Sequence, residues 1–254
     1  MEGIPSPRDI VRQARKKGLG GLALTDHNVV RGWKEAKQEA KKQGLLFIPG
    51  IEISSLSGHI IGLGVTEAVP RGLSVEETVE RVREQGGLAV APHPFDLKGD
   101  GVEEKFRLAD AAEVFNSLNL DRFSNLLASK KLGSFPSVVG SDAHTLEMIG
   151  KAINIVDSQD MDGVLKAIRK GRARHLVSYV SVGDVKEWSY KRFLFSRNFV
   201  AEYIEDNYKP FKGWISLRLL NRFLKDQGGF FTFLAYFGVM CSFGYGGLKA
   251  ISSL

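Results

Sequence analysis

Between residues 7 and 171, short aliphatic runs alternate with charged, helix-patterned segments, and this rhythm constrains the fold more than any other feature. The runs are GLALT, LLFIPGIEIS, HIIGLGV, LAVAPHP, AAEVFNS, SVVGSDAH and AINIV. Helices are expected over residues 7–17, 31–43, 74–85, 120–131 and 160–170. Ser6 reads as an N-cap with Pro7 in the first turn, Ser74 and Glu77 as a capping box, and Gly44 as a stop signal. Strand and helix patterns in alternation argue for an α/β domain on a parallel sheet, closed or open.

The ends of these runs carry polar groups of one chemical kind. GLALT ends in Asp26-His27, and Glu52 lies on LLFIPGIEIS. His59 opens HIIGLGV, and LAVAP ends in His93-Pro94. AAEVF ends in Asn116, and SVVGS in Asp142-Ala143-His144. Four of the five histidines lie in such places. Carboxyl ends of parallel strands are where α/β proteins build sites. Neutral imidazoles with carboxylates are the donor set that divalent metals select. On an extended segment Asp142 and His144 would face one side, and the two oxygens of Glu52 could bridge two ions. A strand-to-helix turn capped by Asp26 or Asn28 is the bland alternative for the first motif. His175, in RKGRARH, has no carboxylate beside it and reads as a surface residue.

In their order, LTDHN, PGIEIS, GHIIGLG, APHP, EVFN and GSDAH resemble the PHP family, the polymerase and histidinol phosphatase domain, over roughly residues 4–170. The resemblance implies a distorted seven-stranded β/α barrel with two or three divalent ions, manganese, zinc or iron, at its C-terminal mouth. It implies His27, Glu52, His59, His93, Asp142 and His144 as ligands. Asp26 would orient an imidazole, and Asn116 would hold phosphate or water. The implied activity is hydrolysis of phosphate esters by metal-activated water, with Asp26, His27 and His144 taking part in catalysis. Substrates would be a nucleotide, an oligonucleotide end or another small phosphomonoester. A protein of this kind that has lost catalysis and serves as a binding scaffold is the alternative.

Members of that family open with a strand bearing His-x-His, and no histidine precedes His27 here. Glu2-Gly3 falls where the family has an acidic residue and a glycine, so Glu2 is a further candidate ligand. The expectation is a chain that starts inside the first motif and lacks the first barrel strand. Truncation is preferred over degeneration because the later ligands are all intact.

After about residue 175 the pattern changes, and the chain is read as a domain over 1–175 with a mainly helical, basic and aromatic extension over 176–254. The extension holds ten Lys+Arg against six Asp+Glu, whereas the first 175 residues hold 25 against 23. Its stretch 228–248 has no charge and is just long enough to span a bilayer, with basic residues before it that would keep the main domain cytoplasmic. Six glycines dilute that stretch, and packing against the barrel or a homo-oligomer contact are its other uses. Basic and aromatic residues interleaved over 188–214 also admit nucleic-acid binding. The lone Cys241 excludes an internal disulfide and agrees with a reducing compartment. The opening MEGIPSPRDI has no apolar run and is not read as a signal peptide.

Overall fold

The computed structural model describes residues 4–225 and 228–252. All seven expected runs form strands: β1 (Gly21–Leu24), β2 (Leu46–Ser55), β3 (Gly58–Leu63), β4 (Leu88–Ala91), β5 (Ala111–Asn116), β6 (Ser137–Gly140) and β7 (Ala152–Ile155). The first six make one curled sheet in sequence order. An eighth strand, β8 (Arg174–Val177), pairs with β7.

The sheet departs from the parallel arrangement at one place. β1 runs parallel to β2, and β4, β5 and β6 run parallel to one another. β3 is antiparallel to both of its neighbours. The cause is local: only two residues, Leu56 and Ser57, separate β2 from β3, and a parallel return needs a crossover of a dozen residues or so. Gly58, with φ of +116°, makes the turn.

Helices cover both faces of this curl. α1 (Pro7–Lys16) starts at the Ser6 N-cap, whose hydroxyl accepts from the Asp9 amide. It packs on α2 (Trp33–Gln43), where Arg12 Nε donates to Glu39 Oε1 at 2.8 Å. Gly44, at φ +65°, ends α2 as expected. Its N-cap is Gly32, without a side-chain bond, so neither Asp26 nor Asn28 caps it. α3 (Val75–Glu84) carries the Ser74–Glu77 capping box. α4 (Phe123–Leu132) follows β5, and α5 (Met161–Arg169) is capped by Asp160.

Period-two alternation decides which helix meets which side chain. In β4, Ala89 and Ala91 turn to the cluster that includes Val75, Val79 and Val82 of α3. Leu88 and Val90 turn the other way, to Val164, Leu165 and Ile168 of α5. Arg169 of α5 donates to the carbonyl of Gly87, just before β4 starts. α5 therefore lies toward the opposite end of β4 from His93.

The last pair joins the sheet through side chains. Asn154 of β7 donates to the Val139 carbonyl at 2.8 Å and accepts from its amide at 2.9 Å, copying a strand neighbour. Ser137 of β6 meets His175 Nε2 at 3.2 Å. His175 is thus half-buried inside β8, not the free surface residue expected, and desolvation lowers its pKa. β8 spans the 175/176 boundary.

The extension is helical: α6 (Val182–Phe195), α7 (Arg197–Asn207), α8 (Pro210–Lys225) and α9 (Gly229–Ser252). α9 packs against α4 and α6. Among the described residues no helix is long and apolar enough to cross a membrane, which corrects the expectation of a span over 228–248. Its glycines and its Thr, Ser and Tyr residues hold the mean hydropathy down.

Phe106 is fully buried, edge-on to Phe95 and Phe135 at centroid distances of 5.8 and 5.2 Å. Phe106→Ala is expected to lower the unfolding free energy by about 3–5 kcal/mol, read by chemical denaturation.

Candidate metal centre

The site begins where the β1–β2 ladder continues past the end of β1. His27 and Glu52 form one more parallel bridge, in which the Asn28 amide donates to the Glu52 carbonyl at 2.8 Å. Asn28 holds the left-handed conformation, φ +55°, and clamps β2 from the side. Its amide nitrogen donates to Ser54 Oγ at 3.0 Å, and its oxygen accepts from the Ser54 amide at 2.9 Å. The imidazole of His27 is thereby set against the carboxylate of Glu52.

That carboxylate is the hub. His27 Nε2 lies 3.6 Å from Oε2, His59 Nδ1 3.0 Å from Oε1, and His93 Nε2 3.3 Å from Oε1. The rings of His27 and His59 meet edge-on at 4.8 Å, and those of His59 and His93 at 5.6 Å. Four strands supply this cluster: the segment just after β1 gives His27, β2 gives Glu52, β3 gives His59, and the residue pair after β4 gives His93. The antiparallel β3 matters here, because it brings the start of one strand to the end of the others.

Electrostatics follow from burial. A carboxylate removed from water is pushed toward its neutral form. For Glu52 that push is outweighed by the close imidazoles of His59 and His93 and the charge of His27, so its pKa falls well below the ordinary value. Burial also presses His93 toward neutrality. The hydrogen bond to Glu52 and the charges of Glu113, Glu52 and Asp142 overcome this and raise it to about 9.

Glu113, which was not singled out in the sequence, forms the floor. It is buried in β5, and its Oε2 accepts from the His93 amide at 2.9 Å and from Asn116 Nδ2 at 3.1 Å. Desolvation raises its pKa to about 7. A register shift between Glu113 and Phe115 lets both Glu113 and Asn116 be buried. Gly140 on the facing strand leaves the only room for this carboxylate, since a Cβ there would collide with it.

Asp142 and His144 form a neighbouring pair. Asn116 Nδ2 reaches Asp142 Oδ2 at 3.3 Å and links the pair to Glu113. His144 Nδ1 lies 2.9 Å from the Asp142 carbonyl, which fixes the Nδ1–H tautomer and leaves Nε2 as the basic atom. The two residues do not alternate along an extended segment as expected, because Asp142 is left-handed at φ +46°. His93, at φ +28°, departs likewise from ordinary strand geometry. Each such residue costs roughly 1–3 kcal/mol and persists where its surroundings over-determine it.

Asn116 differs from its expected role of holding phosphate or water. It is 2% exposed, its amide group donates to Glu113 and Asp142, and its oxygen accepts from the Leu118 amide. Its amide group bridges two carboxylates. Asp26 is exposed, and its carbonyl accepts from the Glu52 amide at 3.2 Å. Glu2 lies outside the described residues. The extension also reaches the site: the ring of Trp188, from α6, lies 4.4 Å from that of His144.

The donor atoms fit a divalent cation. His27, Glu52 and His59 each present one ligand atom, all within 4.8 Å of one another. His59 Nδ1 is buried beside Glu52 Oε1 yet lies outside hydrogen-bond geometry. Two donor atoms that converge without bonding to each other are arranged for a third partner. His93 and the Asp142–His144 pair stand beside this trio as further donors.

Several known proteins are similar to this chain. The family model described as PHP-associated matches residues 129–173. An uncharacterized protein of Methanocaldococcus jannaschii is 43% identical over 136 residues, covering 52% of this chain and 78% of that protein. A 3′,5′-nucleoside bisphosphate phosphatase of Chromobacterium violaceum is 36% identical over 94 residues, so this chain spans 33% of its length. A two-domain Bacteroides vulgatus protein, containing a predicted PHP-like metal-dependent phosphoesterase, shares the fold with a TM-score of 0.59 at 17% identity. The match covers 75% of this chain and 66% of that one. With the curled sheet of the same fold, these matches place the chain in the PHP family.

Proposed function

We propose that the protein hydrolyses phosphate esters with the help of divalent ions held by His27, Glu52, His59, His93, Asp142 and His144. The observation that carries this reading is the Glu52 carboxylate, within 3.0–3.6 Å of three imidazoles. When bound, divalent ions supply Lewis-acid polarisation of phosphoryl oxygens and lower the pKa of water. The protein's own part is to hold the donor set rigid. Glu113 and Asn116 anchor the main chain of His93 and the carboxylate of Asp142. The Asp142 carbonyl fixes the tautomer of His144, whose Nε2 can hold a metal or take up a proton.

The substrate in this reading is a small nucleotide or an oligonucleotide end. A cleft of about 540 Å³ opens beside His27, lined by Asn28, Val29, Val69, Pro70 and Arg71. Its apolar wall suits a base or ribose, and Arg71 offers a cation to a phosphate that is not being cleaved. The Chromobacterium relative, by its name, acts on a nucleoside with two phosphates.

The direct test is hydrolysis of a nucleoside 3′,5′-bisphosphate with added manganese. Chelation and Glu52→Ala are each expected to reduce the rate to background, with loss of bound metal. Arg71→Ala is expected to raise KM about tenfold with metal content unchanged, the effect of one charge-assisted phosphate contact. A protein that binds manganese and leaves phosphate esters intact would sink the hydrolase reading in favour of a binding scaffold.

Metal and protons compete for the site. The raised pKa of His93 stabilises the metal-free fold below 6.5, and that contribution is lost as pH rises through about 9. Manganese affinity is therefore expected to climb across this window, with proton release on binding. Calorimetry in buffers of different ionisation enthalpy reads that release. An affinity independent of pH between these limits would count against His93 as a ligand.

A further inference from the structure

The extension presents a surface that the site does not use. Of the 22 large apolar side chains exposed among the described residues, 16 lie between residues 193 and 240. α8 is where the pattern is cleanest. Gly213 and Leu220 are buried, and Ser216, Leu217, Phe223 and Leu224 are half-buried on the same side. On the opposite side, Phe211, Trp214 and Ile215 are 73, 56 and 37% exposed, and Leu219, 46% exposed, lies at the edge of that face where it borders the groove toward α6 and α9. They recur at the helical spacing of one face. Lys212, Arg218, Arg222 and Lys225 are exposed among them, and the helix contains no acidic residue. Among the described residues none of these four cations pairs with a carboxylate.

We propose that this outward face of α8 docks on anionic lipid, so that the protein lies peripherally on a negatively charged bilayer. A basic helix with aromatic and aliphatic residues on one face is the composition that settles at the boundary between headgroups and acyl chains. Trp214, with the Arg218 guanidinium 5.2 Å from its ring centroid, suits that boundary, where one side of the ring is apolar and the other wet. The contact is one of lying on the membrane, since no described helix crosses it. α9 adds a second exposed apolar row in Phe230, Phe233, Phe237 and Met240.

Two other occupants fit less well. A second copy across a two-fold axis would set the same four cations against one another. A nucleic acid would satisfy the cations and stack on Phe211 and Trp214, but the aliphatic Ile215 and Leu219 beside them give a base nothing to stack on. Anionic lipid satisfies the charged and the aliphatic groups together.

The test is co-sedimentation of the full chain with vesicles. One set is phosphatidylcholine alone, and the other equal parts phosphatidylcholine and phosphatidylserine. Binding is expected to the mixed vesicles only and to weaken as salt rises. Each neutralised cation should lower partitioning about fivefold, so the triple variant Lys212→Gln, Arg218→Gln, Arg222→Gln should lose about a hundredfold. Phe211→Ser with Trp214→Ser should weaken binding and leave its salt dependence intact. Quenching of tryptophan emission by brominated lipid, lost in Trp214→Phe, locates the helix without disturbing its charge. Equal binding to both vesicle types, or none to either, overturns the proposal. So does a dimer, or a nucleic-acid complex, that the triple variant dissolves while vesicles stay unbound.

Discussion

A carboxylate placed out of water among imidazoles is the constraint on which the rest of the structure depends. Burying an unpaired carboxylate costs several kcal/mol, and such a group ordinarily takes up a proton instead. Glu52 stays ionised because three imidazoles converge on it from three directions. That convergence requires the ends of β1 and β4 and the start of β3 to meet over β2. The reversed β3 is the means: in a wholly parallel sheet, residue 59 at the head of its strand would sit at the far end from His27 and His93.

Around this hub lies a layer whose only work is to hold it. Glu113 and Asn116 fix the main chain of His93 and the carboxylate of Asp142. Their packing depends on Gly140, because any side chain there would occupy the volume of the Glu113 carboxylate. The left-handed turns at His93 and Asp142 belong to the same layer. Strained backbone is tolerable at these two positions because each is gripped by hydrogen bonds from this buried network.

The amino-acid pattern made the strands and most helix ends legible, since period-two apolar runs, Ser6, Ser74, Asp160 and Gly44 act through local physics. The imidazoles of the hub were legible for a similar reason: they stand at run ends, where a polar group interrupts apolar ones, whereas Glu52 lies inside its run and is marked by the PGIEIS motif. Strand direction was not, because a reversed strand has the same alternation as a parallel one. Only the two-residue link between β2 and β3 signals it. Glu113 escaped notice because nothing local tells that its carboxylate turns toward the main chain of His93. A lone glutamate in AAEVFN is the available sign, and the bulge that buries it is a property of the sheet. Trp188 could not be placed by any local rule, because its contact with His144 is set by how α6 returns across the sheet.

That last contact changes the standing of the extension. A separate appendage would leave the site whole without it, but α6 supplies an aromatic wall to a candidate ligand. It is also tied to the barrel by Lys151 with Asp184 at 3.8 Å, and by the Val180 amide on the Ser117 carbonyl just before it. α8 packs on α6 through its inner side while its cations and aromatics look outward. One helical layer therefore joins an inner face that touches the donor set to an outer face that touches the surroundings.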